Sequence, residues 1–146
     1  MPRSSPWAVI VAALAAFLAS SVWYIVFGTR MAQLSSAFAG HLKEGMTWRQ
    51  PAVLVQSLVI AVVLARLFRA TTGVDWKGAL ALAVWLWVGL VAVQWTSAMM
   101  WEDTPWELAA IHAGDWLLKL LIVAGILSAW RIPRSVAPPR PSGSSP

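Results

Sequence analysis

Three ionisable residues near the end of the chain have the types and spacing that could do chemistry. His112, Asp115 and Lys119 follow one another at intervals of three and four residues within an apolar stretch. At about 100° per residue, an α-helix places all three within a sector of about 60° on one face. Such a face could relay protons, bind an anion or neutralise its own charges.

Placing this face inside a membrane would cost free energy, because its side chains are charged. If Trp106 and Trp130 mark the two membrane surfaces, Lys119 lies within about one residue of the midplane and Asp115 about one turn away. An isolated Asp or Lys at a helix centre costs ~2.5–3.5 kcal/mol, which a pair four residues apart partly offsets. We therefore expect the face to point into the protein or at a second copy of the chain.

One interpretation of this face is purely structural. Asp115 and Lys119 then form a neutral pair that fixes helix packing or a dimer seam, and His112 bonds to neighbouring polar groups. Those neighbours are the turn at Glu107 and, on the preceding helix, Gln94 and Thr96. The candidate intramembrane polar site thus consists of His112, Asp115, Lys119 and Gln94.

Two functional interpretations remain beside it. In a proton or cation relay, His112 passes charge to Asp115 while Lys119 sets the field, and Gln56 and Ser57 of another helix extend the path. In a binding site, Lys119 and Arg66 hold an anionic small molecule or a lipid headgroup.

Established catalytic and metal-binding patterns are missing from the sequence. It contains no G-x-S-x-G, H-E-x-x-H, Walker or G-x-G-x-x-G motif. There are no cysteines and two histidines, of which His41 lies in a loop with no fixed relation to His112. We therefore predict no catalytic residues, no metal site, no cofactor and no enzymatic activity.

The composition identifies the elements that must position the candidate face. Of the 146 residues, 59% are hydrophobic and 12% charged, against about 25% charged residues in soluble domains. Four charge-poor stretches approach or exceed the ~20 residues that cross a bilayer, at about 7–28, 51–69, 78–101 and 105–130. The prediction is an all-α, four-helix transmembrane bundle over 1–130, followed by a disordered, basic, Pro- and Ser-rich cytoplasmic tail over 131–146.

Local signals predict where these helices begin. Thr104 and Glu107 match a capping box around Pro105, which predicts a tight hairpin between the last two helices. Thr47 and Gln50 match the same pattern before the second helix, and Asp75 is predicted to be the N-cap of the third. Gly45 is predicted to end the short helix of the loop, and Gly73 to end the second span.

A short helix is also predicted in the loop between the first two spans. Met31, Leu34, Phe38 and Leu42 recur there at helical spacing. This apolar stripe either enters the membrane interface or packs over the bundle, and the second is favoured.

Small and aromatic residues add two further expectations. Ala12, Ala16 and Ser20 repeat every four residues, which either lets another helix approach closely or reflects plain alanine richness. Most tryptophans fall at the ends of spans and are expected to anchor them at the interface: Trp7, Trp48, Trp76, Trp101, Trp106 and Trp130. Trp23 is ambiguous. The deeper tryptophans should pack against other helices with a bonded indole N–H: Trp85, Trp87, Trp95 and Trp116.

The basic residues predict the orientation. With four crossings, seven of them share the side of the termini: Arg3, Arg66, Arg69, Lys77, Arg131, Arg134 and Arg140. Three lie on the other side: Arg30, Lys43 and Arg49. The positive-inside rule therefore predicts a multi-pass protein of the cell inner membrane with both termini cytoplasmic. Because the charges are scattered and form no patch, nucleic acid is not expected as a partner.

Two segments resemble a bacterial family catalogued as domain of unknown function 1761. They are Trp23–Tyr24 followed by Phe27–Gly28, and 111–130, where Ala113–Gly114 precedes a bulky pair and 125–127 leads to a closing Trp. The resemblance implies four membrane helices without an established activity. Relatives usually have an aromatic residue or histidine after the Ala–Gly pair, and no charge at the position of Lys119. The Asp115–Lys119 pair is therefore expected to be a feature of this protein.

The function that follows is a non-enzymatic membrane protein that acts through helix–helix contacts with itself or with another membrane protein. A homo-oligomer is expected, because four short helices with small-residue stripes enclose little interior. The alternatives are a small proton, cation or solute transporter that uses the polar face of the last helix, and a protein that binds lipid or another hydrophobic ligand.

Overall fold

The computed structural model describes residues 6–44, 48–71 and 75–130, and all regular structure in them is helical. The α-helices in chain order are α1 (Pro6–Leu34), α2 (Ser36–Glu44), α3 (Arg49–Ala70), α4 (Trp76–Leu86), α5 (Val93–Trp101) and α6 (Trp106–Ala129). A π-helical segment, Trp87–Ala92, joins α4 to α5. The predicted all-α fold is confirmed.

Among the described residues, four helical stretches are long and apolar enough to cross a membrane. The first span is α1 and the fourth is α6. The second span is Gln50–Ala70, and the third span is the continuous Trp76–Trp101. The predicted number of spans is therefore confirmed by length and composition.

The boundary between the first span and the loop helix differs from the predicted one. No breaker ends the helix at Gly28, so α1 continues to Leu34 and includes the fully buried Met31. The break comes at Ser35, whose Oγ accepts a hydrogen bond from the Phe38 amide at 3.3 Å. The helix after it, α2, covers the first span, since the ring of Phe38 lies 6.5 Å from that of Tyr24. The favoured interpretation, packing over the bundle, holds for Met31 and Phe38. The side chain of Leu42 lies outside the described residues.

The predicted helix starts have mixed outcomes. Asp75 caps α4 as expected, because its side chain accepts a hydrogen bond from the Gly78 amide at 2.8 Å. The capping box at the start of α6 is wrong: Pro105 is the N-cap, no side chain caps the helix, and Glu107 turns instead to Arg30. The tight hairpin itself forms, with Asp103 in the left-handed region at φ 52°, a conformation that Asp tolerates better than most residues. Thr47, the two predicted glycine terminators and the tail at 131–146 lie outside the described residues.

The bundle is built around the antiparallel pair α1 and α6. The second span packs mainly against α1, and the third span packs mainly against α6. The buried core consists of small residues with a few larger ones: Ala8, Ala12, Ala13, Ala16, Ala61, Leu64, Ala65, Phe68, Ala79, Ala83, Leu120, Val123, Ala124 and Leu127. The stripe predicted at Ala12, Ala16 and Ser20 is completely buried, so close helix approach is the correct interpretation of it.

The π-helical segment sets which side of the third span meets α6. Trp87 and Trp95 both contact that helix, although they are eight residues apart. A regular α-helix would place Trp95 about 80° round from Trp87. One additional residue in a π turn reduces that offset to about 20°, so both rings face α6.

Candidate functional site

Asp115 and Lys119 form a buried ion pair in the middle of α6. The Lys119 Nζ lies 2.8 Å from Asp115 Oδ2, and the exposed fractions of the two residues are 2% and 0%. The other carboxylate oxygen accepts a hydrogen bond from the Ser20 hydroxyl of α1 at 2.6 Å. Both charges are thus matched inside a single chain, which is what an intramembrane ion pair requires.

Two members of this group were not identified from the sequence. The sequence pattern predicts only close packing for Ser20, yet its hydroxyl is the contact from α1 to the carboxylate. The ring of Trp116 lies 5.5 Å from the Lys119 ammonium and adds a cation–π contact. A hydroxyl within a stripe of alanines was the available signal for Ser20.

His112 lies on the same side of α6 but has other partners than those expected. Its Nδ1 is 3.1 Å from the Tyr24 hydroxyl, and its ring stacks on Trp95 at 4.7 Å between centroids with an interplanar angle of 3°. The partners predicted on the third span are wrong. Gln94 is exposed there, and the Thr96 hydroxyl donates to the carbonyl of Ala92 at 2.8 Å. Trp95 faces His112 because of the π turn, a feature that helical periodicity does not reveal.

Two indoles fix the backbone of α6 next to the ion pair. Trp23 donates to the carbonyl oxygen of Ile111 at 3.0 Å, and Trp87 donates to that of Ala113 at 2.7 Å. Trp23 also lies directly against Gly114, where a Cβ atom would come within 2.7 Å of its Cζ2. The bonded indole predicted for Trp87 is confirmed, and the ambiguous Trp23 behaves likewise.

The remaining deep tryptophans behave differently from one another. Trp95 and Trp116 contact the polar groups through their rings. Trp85 is 73% exposed, so the prediction that it packs against another helix is wrong within the described part of the chain. The tryptophans predicted to anchor the spans are exposed at helix ends, as expected: Trp7, Trp48, Trp76, Trp101, Trp106 and Trp130.

A salt bridge completes the polar contacts at one end of the bundle. Arg30 Nε donates to Glu107 Oε2 at 2.7 Å, and the Nη2 group of the same arginine contacts the same oxygen. Glu107 thus links the start of α6 to α1. The predicted bond between His112 and the turn at Glu107 is wrong, because the partner of His112 is Tyr24.

The interface between α1 and α6 therefore has two halves of different chemistry. The polar half consists of Ser20, Tyr24 and Arg30 of α1 and Glu107, His112, Asp115 and Lys119 of α6. The alanine half consists of Ala8, Ala12 and Ala16 of α1 and Val123, Ala124 and Leu127 of α6, all buried. The polar contacts run from one end of the bundle to its middle and are followed by apolar packing.

The groups proposed to extend the site do not join it. Gln56 is exposed on α3, and the neighbouring Ser57 donates to the carbonyl of Val53 on its own helix at 2.9 Å. Arg66 is exposed while Lys119 is buried, so the structure does not bring these two cations together around an anion. The side chain of His41 lies outside the described residues. Among those residues there is no cluster of three or more acidic, histidine or cysteine side chains that could hold a metal ion.

The segments that carry the family resemblance meet at this site. Trp23 and Tyr24 of α1 contact α6 at Ile111, His112 and Gly114. A family model described as "Protein of unknown function (DUF1761)" matches residues 7–128. No curated protein and no solved structure showed a significant match to the chain.

Proposed function

We propose a function for this chain, which belongs to the family described as protein of unknown function (DUF1761), from the surface that its own helices leave uncovered. It is a non-enzymatic membrane protein that acts through helix–helix contacts of its third span with itself or with another membrane protein. The observation that carries this is the difference in burial: 11% of the apolar window of the third span is buried, against 44% of the fourth.

The exposed side of the third span has features typical of a helix contact surface in a membrane. Gln94 and Ser97 place polar groups on it, and Gly89 has open space where a Cβ would be. Small residues let helices approach closely, and amide or hydroxyl side chains bond across them. These residues support a protein contact better than contact with lipid alone.

The polar half supports a structural role for the charged face. Asp115 and Lys119 neutralise each other, and Ser20 and Trp116 occupy their other sides. A buried pair of this kind leaves no charge to be compensated by a substrate. Its contacts join α1 to α6 and so hold the two central helices in one register.

A relay for protons or cations is the second candidate. It is favoured by three polar contacts that follow one another along the α1–α6 interface, Arg30–Glu107, Tyr24–His112 and Asp115–Lys119. The alanine half beyond Lys119 is closed by apolar side chains. Transport would therefore require those helices to separate by at least the width of a water molecule.

The same proposal includes the orientation, with both termini cytoplasmic in the inner membrane. It rests on the seven basic residues on the side of the termini against three on the other side. A reporter that is active only in the cytoplasm, fused after residue 146, should be active. One that is active only outside should be inactive there and active when inserted between α2 and α3. The reverse pattern would overturn this topology.

Site-specific photo-crosslinking tests the contact function directly. A photoreactive amino acid at Val93, an exposed position of the third span, should form a protein adduct in intact membranes. The same group at Val59, which has similar exposure on the second span, is the matched control and should react mainly with lipid. Lipid adducts alone from both positions would contradict the proposed function.

A further inference from the structure

Gln94 is a primary amide on the uncovered side of the third span. It is seven residues from Trp101, which places it about 10 Å along the helix from that end and inside the ~30 Å hydrocarbon layer. The residue is exposed, and within the described part of the chain its amide has no hydrogen-bond partner. In hydrocarbon an unbonded amide is costly, so a partner is favoured there.

The residues around Gln94 leave room for another helix. Gly89, Val93 and Ser97 are exposed and follow one another at four-residue intervals beside it. A Cβ atom added at Gly89 would have no neighbouring atom of the described residues within 4 Å. In contrast, the hydroxyl of the exposed Thr96 is already bonded to its own helix. Gln94 and Ser97 are thus the two polar groups of this face that are open to a partner among the described residues.

We infer that this face is the seam of a homodimer, in which Gln94 bonds to Gln94 of a second copy of the chain. A primary amide both donates and accepts, so it is complementary to itself. Two copies with the same orientation in the membrane are related by a two-fold axis along its normal, which brings identical residues together at equal depth. This inference deepens the proposed function by naming the partner.

The second span offers a natural comparison. Gln56 is also exposed within a span, but its span is 28% buried, and the exposed residue three positions after it is the branched Val59, where Gln94 has Ser97. No glycine lies near it on that span. A helix could not approach it as closely, which is why the inference selects Gln94.

Disulfide trapping in lipid vesicles tests the seam, because the chain has no cysteine of its own. Single variants Gly89→Cys, Val93→Cys and Ser97→Cys should form dimers on mild oxidation, whereas Val59→Cys should not. In the Val93→Cys background, Gln94→Leu should weaken dimerisation by about 3- to 30-fold, as expected for one lost interhelical hydrogen bond in a membrane. Gln94→Asn should retain most of it, and Gln56→Leu should leave it unchanged.

The outcomes separate this inference from the proposed function. If Val59→Cys traps dimers and Val93→Cys does not, the dimer seam lies on the second span, and the inference is overturned. If the Gln94→Leu variant dimerises as well as the protein that retains Gln94, no hydrogen bond of this amide holds the seam, and the inference is overturned. If Val93→Cys stays monomeric in vesicles while the photoreactive group at Val93 captures a different protein in membranes, the homodimer is overturned and the contact function remains. If neither experiment yields a protein adduct, both are overturned.

Discussion

The two halves of the α1–α6 interface hold the same two helices together by different means. In the alanine half, small side chains let the helices approach closely, and the contact is entirely apolar. In the polar half, hydrogen bonds at Ser20 and Tyr24 and one ion pair at Arg30 join the two helices. A second ion pair, Asp115–Lys119, lies within α6 itself. The alanine half depends on volume, and the polar half depends on each charge keeping its partner.

That difference also limits what the interface can do. The polar half ends at Lys119, near the middle of the fourth span, and the buried residues of the alanine half that follow it are all apolar. An ion that entered along the polar half would meet close apolar packing. The comparison thus supports a structural role for the charged face and directs attention to the third span.

The largest effect is expected from breaking the buried ion pair. Lys119→Met leaves the carboxylate of Asp115 buried without its counter-charge, and should lower the free energy of unfolding by about 3–5 kcal/mol. Asp115→Asn combined with Lys119→Met should recover most of that loss, since neither charge remains. Unfolding in mixed micelles measures both variants. Equal destabilisation by the single and the double variant would show that the pair is not the cause.

The alanine half should be sensitive to added volume instead. Ala12→Leu places three further carbons in a fully buried position and should destabilise the protein by about 2–3 kcal/mol through overpacking. Leu18→Ala, a change of similar size at a residue that is 61% exposed on the same helix, is the control and should have little effect. If Ala12→Leu is as stable as the wild type, the two helices are not in close contact there.

A smaller effect is expected within the polar half, where Gly114 of α6 lies against the Trp23 side chain of α1. Gly114→Ala brings a methyl group against the indole of Trp23 and should cost about 1–2 kcal/mol. In a Trp23→Phe background the ring atom in conflict is removed, so the same glycine substitution should be nearly neutral. A double-mutant cycle measures this coupling, and additive effects would count against the contact.

The smallest effect is expected at the solvent end of the polar half. The side chains of Arg30 and Glu107 are 51% and 32% exposed, and exposed ion pairs contribute about 0.2–1 kcal/mol. Glu107→Gln should reduce stability within that range, and the difference should shrink in high salt. A loss as large as that of Lys119→Met would mean that the whole polar half acts as one cooperative network.

The sequence was most informative where a pattern is local. The spacing of His112, Asp115 and Lys119 placed them on one face, and the interval of Ala12, Ala16 and Ser20 marked the side of α1 that packs closely. The cap at Asp75 was likewise visible, and the family expected from the two short motifs is confirmed by the match over residues 7–128.

The sequence was least informative about partners on other helices. Gln94 was expected beside His112, but the π turn rotates Trp95 into that place and leaves Gln94 exposed. Glu107 matches a capping pattern, yet no side chain caps α6, and the Glu107 carboxylate pairs with Arg30 of α1 instead. Both outcomes depend on how separate helices pack, which residue spacing within one helix does not encode.

The measurement that tests the central claim most directly is ion flux into sealed liposomes that contain the purified protein. Proton and potassium flux would be compared with empty liposomes and with the Asp115→Asn, Lys119→Met double variant at equal folded incorporation. A closed alanine half predicts no flux above that of empty liposomes for either protein. Flux through the wild type that disappears in the double variant would contradict the structural role of the pair and establish the relay.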